Sequence, residues 1–154
     1  MQQDYSFPEF ANPTVEWTSA TTGQRFSNYL IDLVAFYLIF IAMAILLGVG
    51  LELTGNSAWL ETVDSMGAIA NRLLGMLLLA TYYFIVEVAT TGRTVGKLFT
   101  RTRVVMEDGS ELTTKAVALR SLCRLIPFDA FSFLGGGSGW HDRFSKTMVV
   151  QVPR

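Results

Sequence analysis

RFSNYLIDLVAFYLIF, residues 25–40, is hydrocarbon over most of its length, yet Arg25 opens it and Asp32 interrupts it. From Leu33 the run continues uncharged to Leu51 as LVAFYLIFIAMAILLGVGL, and a second run, LLGMLLLATYYFIV, extends from Leu73 to Val86. A helix that crosses a bilayer needs about 20 predominantly apolar residues, and both runs reach that length with their flanks. The chain has 154 residues, 51% of them hydrophobic and 16% charged. That is short for two domains and too apolar for one soluble domain carrying two such runs. The expected fold class is a mainly α membrane protein built on a two-helix transmembrane hairpin, with spans at about 26–51 and 70–91.

The distribution of charge sets the expected orientation. Between the spans, Glu52, Glu61 and Asp64 oppose Arg72 alone, whereas Arg93, Lys97, Arg101 and Arg103 follow the second span. Cationic flanks stay in the cytoplasm, so both termini are expected there. The small residues Ala42 and Ala44 suggest a cleavage site, but the apolar run continues past them to Leu51 and no Lys or Arg precedes Arg25, so a cleavable signal peptide is not expected. One cysteine, Cys123, and one histidine, His141, supply neither a disulfide nor a zinc set. No metal and no cofactor is expected.

Residues 1–24 read as a polar N-terminal arm with Pro8, Pro13 and several aromatics, and Thr14 to Trp17 have the composition of a short strand. Residues 25–152 form the membrane domain. After the second span, the β-branched runs at about 102–107 and 147–152 read as two strands, the first turning at Glu107 to Gly109. With no other strands nearby, they are expected to pair with each other, which places them on one side of the membrane. The third apolar segment, AVALRSLCRLIPFDAFSFLG, contains Arg120, Arg124, Asp129 and Pro127. Each charge at a helix centre costs about 2.5–3.5 kcal/mol on insertion scales. A third helix at about 116–134 is therefore expected to lie at the interface or re-enter, with Arg120 and Arg124 on one face.

Arg25 and Asp32 are two helical turns apart and share a face, separated by about 10 Å along the axis. An arginine at the mouth of a span snorkels to the interface; an aspartate two turns deeper needs a partner, a proton or water. Glu87, near the corresponding end of the second span, lies at a similar depth if the helices are antiparallel. Two carboxylates at one depth repel, so a cation from Arg25, Arg120, Arg124 or Lys97 is expected between them. Arg25, Asp32, Glu87, Arg120, Arg124 and Asp142 form an expected charge network or ion path, with Trp17, Lys97 and Trp140 as interface anchors. GRTVGK, residues 92–97, has the wrong glycine spacing for a P-loop and Leu98 where a magnesium-binding hydroxyl belongs. Gly92 is expected to end the second helix, and Gly96 with Lys97 to shape an elbow. The glycine run 135–139 reads as a flexible linker with no helix start after it. His141 adjoins Asp142 but no nucleophile motif accompanies them, so no catalytic residue and no enzyme is expected.

Arg25 and Asp32 in RFSNYLID, TTGRTVGKLFTRTRVVMEDGSELT, ALRSLCRLIPF, and Asp142 in GWHDRFSKTMVV resemble, in that order, the RDD family of small bacterial membrane proteins, named for one arginine and two aspartates. The resemblance covers about Thr22 to Val152. It implies a bacterial cytoplasmic (inner) membrane, multi-pass topology, and transport of ions or small solutes as the usual suggestion. In that family the third apolar segment is often described as a span; here Arg120, Arg124 and Pro127 depart from that.

Two function classes follow. Proton-linked or cation transport is expected first, on the depth of Asp32 and Glu87; two spans cannot enclose a path, so it requires a homo-oligomer, with Gly48, Gly50, Gly67 and Gly75 allowing close helix contact. The alternative is a non-catalytic accessory or assembly subunit of a larger membrane complex, docked through the aromatic arm. A lipid-sensing role for Arg120 and Arg124 is weaker than ordinary anchoring. Membrane lipids and a homo-oligomer or larger membrane complex are the expected partners; nucleic acid is not.

Overall fold

The computed structural model describes residues 17–56, 58–108, 110, 112–126, 128–129, 131–132 and 138–152, without the side chain at 59. Most of the N-terminal arm, including Thr14 to Val15 of the expected strand, lies outside these residues.

Helix α1 runs Thr22–Leu53 and α3 runs Ala68–Ala89, joined through the short α2, Ala58–Asp64. Thr21 starts α1 through a capping box: its hydroxyl accepts from the Gln24 N–H at 3.2 Å while the Gln24 side chain accepts from the Thr21 N–H at 2.9 Å. Both α1 and α3 are long and apolar enough to cross a bilayer. At 32 residues α1 is about 48 Å long, well beyond a hydrocarbon core of about 30 Å. The surplus carries the polar residues, and burial on α1 is confined to Asn28, Asp32 and Phe36, one stripe near its start. On α3 it is confined to Ala80, Tyr83 and Glu87, near its end. Over the remaining lengths most leucines and isoleucines are exposed on both helices.

Everything after α3 gathers at that shared end. Two left-handed residues, Thr91 and Gly92, turn the chain out of α3. Gly92 at φ +89° is required twice over: a Cβ there would lie 2.8 Å from the Val104 carbonyl oxygen and 2.9 Å from Leu112. The helix itself stops earlier, at Ala89, with Thr90 as its C-cap. Next come α4 (Val95–Phe99), β1 (Thr102–Met106), α5 (Thr114–Cys123), α6 (Trp140–Ser145) and β2 (Thr147–Gln151). Strands β1 and β2 pair antiparallel, with Val104 opposite Val149, as their composition predicts. A pair alone is marginal, and the arm reinforces it: Ser19 bridges to Val150, the Ala20 N–H donates to the Val149 carbonyl at 2.9 Å, and the Gln151 N–H donates to the Thr18 carbonyl at 2.8 Å.

Helix α4 packs on α1, α5 on α3 and α6, and α6 on β2. None of these close-packed pairs joins α1 to α3, which meet where Phe36 faces Tyr82, ring centroids 5.7 Å apart. The four glycines expected to tighten helix contact, Gly48, Gly50, Gly67 and Gly75, face nothing within 4 Å among the described residues. The expected helix at 116–134 is shorter and begins earlier: α5 has ten residues, about 15 Å, half of what a span needs. Its Arg124 is already the C-cap. A six-residue helix, α6, follows Gly139 directly, where no helix start is expected.

A buried charge network as candidate functional site

The head at the shared end has an apolar core of modest size, Ala20, Val104 and Val149 with Leu112 against them. Its bulkiest buried side chains are instead Arg120, Tyr83 and Glu87. Helix α6 places Asp142 in its first turn, fully buried, where its two oxygens accept from Arg25 of α1 and Arg120 of α5. Arg120, also fully buried, donates from Nε to Glu87 of α3 at 3.3 Å and from Nη1 to the Thr147 hydroxyl of β2. Glu87 accepts further from Lys97 of α4 and lies 3.6 Å from Nη2 of Arg124. The Arg124 guanidinium in turn covers the Tyr83 ring at 3.9 Å, a cation–π contact.

Asp32 sits beside this chain of ion pairs but is bound differently. Its carboxylate accepts from the Thr94 hydroxyl at 2.6 Å and the Gly96 N–H at 2.7 Å, holding the start of α4 against α1. One turn before it, the buried Asn28 amide bridges the hydroxyls of Thr100 and Thr102. At the other edge, His141 is held by Asp129, which accepts from the His141 N–H at 3.0 Å and lies 2.7 Å from Nδ1; Nε2 is 3.6 Å from Asp142. The Ser145 hydroxyl donates to the His141 carbonyl at 2.6 Å, so it is not presented to the imidazole as a nucleophile.

The environment biases the groups outside the spans. Burial alone would raise the Asp142 carboxyl, but the charges of Arg120, His141 and Arg25 override it and hold Asp142 well below the usual carboxylate range. Burial, with the charge of Arg124, pushes the His141 imidazole below its usual value despite the Asp129 bond. Burial likewise pulls the Lys97 ammonium down, against the attraction of Glu87. A cavity of about 30 Å³ opens among Arg25, Asn28, Asp32, Tyr83, Lys97, Arg120 and Arg124, with Tyr29, His141 and Val149 completing it.

All six residues of the expected network therefore lie in one cluster, with three corrections of detail. Arg25 does not snorkel; its side chain is 11% exposed and bonds Asp142, because α6 folds back across the start of α1. Asp32 takes a hydroxyl and a backbone N–H instead of a cation, since α4 docks its first turn directly on it. Lys97 is not an interface anchor: it is 3% exposed, directed to Glu87 by the Thr94 cap of α4. Arg120, at 0% exposure, is equally unavailable to lipid headgroups. Trp140 is exposed at the first residue of α6 and Trp17 is half-buried. Sequence reasoning leaves out Thr94, Asp129, His141 and Thr147. Thr94 carries a signal in its N-cap position three residues before Lys97; the other three are joined to the cluster by long-range folding alone. Among the described residues, no group of three His, Cys, Asp or Glu side chains could hold a metal ion.

No curated protein and no solved structure matches the chain. The model of the RDD family, by contrast, matches residues 19–146, which takes in Arg25, Asp32, Glu87, Arg120 and Asp142 and stops at the last residue before β2. The chain, with its two helices of membrane-spanning length, belongs to the RDD family.

Proposed function

We propose that this RDD-family chain is a non-catalytic subunit of a larger membrane assembly, with α1 and α3 as its transmembrane hairpin and the charge-locked head on the cytoplasmic side of a bacterial inner membrane. The observation that carries this is the closure of the network on itself: Glu87 and Asp142 are paired with arginines and a lysine, Asp129 with His141, and Asp32 with α4. Such a lock rigidifies one end of the hairpin and leaves no carboxylate free to relay an ion. Meanwhile most of the large apolar side chains along α1 and α3 are exposed among the described residues, which suits lateral packing against other spans and lipid. Arg93, Arg101, Arg103, Lys115, Arg143 and Lys146 all belong to the head end, which supports a cytoplasmic head by the positive-inside rule. Nucleic acid has no place in this arrangement.

Transport as a homo-oligomer is the second reading, favoured by the depth of Asp32 along a span-length helix. A cation path at this point is opposed by the cavity lining, four cations against the single carboxylate of Asp32. Extraction from native membranes in mild detergent, with native mass measurement and identification of every attached chain, separates the two. A larger foreign protein in fixed stoichiometry is the expected result. A homo-oligomer with nothing attached, together with ion flux in liposomes that Asp32→Asn abolishes, would establish transport instead.

A further inference from the structure

Beyond any role in an assembly, we propose that the cavity inside the head binds one small inorganic anion. Arg25, Lys97, Arg120 and Arg124 line it, and the carboxylates that balance them are turned away: Glu87 and Asp142 lie behind the cations and do not line the space. Asp32 does line it, and each of its oxygens already accepts one hydrogen bond, from Thr94 and from Gly96. The cavity therefore presents positive potential on most sides within a poorly hydrated interior, where a charge is felt more strongly than in water.

Its donors are also incomplete. Arg120 has 0% exposure, and its Nη2 finds no acceptor among the described residues; the Tyr83 hydroxyl and Arg124 Nε are likewise without a partner there. A guanidinium N–H can only donate, and a buried donor left unmet is costly, the more so when charged. An anion meets several such donors at once. The space exceeds what one water needs, so a small inorganic anion has room there.

The test uses the full chain in mild detergent, with sodium chloride titrated against sodium gluconate at constant ionic strength. Chloride is expected to raise the Tm saturably, by about 2–4 °C at five times its Kd, and Tyr83→Phe is expected to weaken that response. Identical melting in sodium gluconate, sodium chloride and sodium phosphate at one ionic strength would overturn the proposal. Should Tyr83→Phe fail to fold, crystals of the unaltered chain soaked in sodium bromide decide the matter. An anomalous peak beside Arg120 Nη2 is expected, and a cavity without one would refute the site.

Discussion

Asp142 receives Arg25 from the start of α1 and Arg120 from the middle of α5, three elements tied at one carboxylate. A buried ion pair is not in itself evidence of net stability, because desolvation offsets much of the attraction; removing one partner is nonetheless costly, since the other charge stays buried. Asp142→Ala strands two guanidiniums at once. It is expected to lower unfolding free energy by about 3–5 kcal/mol, measured by denaturation in detergent. Asp108 is the control, because it is exposed and its side chain bonds locally to Ser110; Asp108→Ala should stay within about 0.5 kcal/mol.

At the scale of elements, the closest approach is that of α4 to α1. A Cβ on Gly96 would stand 2.8 Å from Asn28 Cα and 2.9 Å from its carbonyl carbon, and closer still to the carbonyl oxygen. These are backbone atoms inside a helix and cannot yield. Gly96→Ala must therefore push α4 off α1 and stretch the Gly96 N–H bond to Asp32. A loss of about 1–3 kcal/mol is expected, by the general cost of overpacking, with a visibly lower Tm. Gly75→Ala makes the contrast: nothing lies within 4 Å of its Cβ, and alanine is the better helix former, so its Tm should not fall. Elbow and anchor thus differ in kind: α4 is docked by shape and capping, with Lys97 drawn inward as a result.

For the molecule as a whole, His141 and Asp142 make stability depend on pH. His141 and Asp142 both have pKa values below their usual ones in the folded chain, so on acidification the unfolded state takes up protons first. Stability rises with pH wherever the unfolded state binds more protons. The His141 contribution is complete above about 6.5 and is lost as pH falls from there toward its folded value; that of Asp142 is lost similarly below about 3.9. Melting temperature should hold steady from neutrality to about 6.5 and then fall, with a second decline in stronger acid. His141→Gln should remove the first decline and keep the second. A Tm that rises between pH 6.5 and 5 would contradict the assignment.

Composition and spacing by themselves determined that the chain carries two membrane-length helices, and that two short β-branched runs pair in antiparallel fashion. They also marked Arg25, Asp32, Glu87, Arg120, Arg124 and Asp142 as needing partners. These features rest on local physics: hydrocarbon length against bilayer thickness, period-2 alternation, and the cost of a charge far from water. Which charge meets which was decided by tertiary structure alone. Arg25 and Asp142 are 117 residues apart in sequence, and nothing local distinguishes an arginine that reaches the interface from one captured by a helix folding back over it. The same holds for Lys97, whose flexible stem suits a surface anchor until α4 packs on α1 and leaves it facing Glu87. The third apolar segment has the composition of a longer helix, but α5 ends at Cys123, where Arg124 caps it while lying over Tyr83 and beside Glu87. The cationic cavity, too, is a product of assembly: its lining comes from α1, α3, α4, α5, α6 and β2 with the cap of α5, and it exists only once those elements have closed around it.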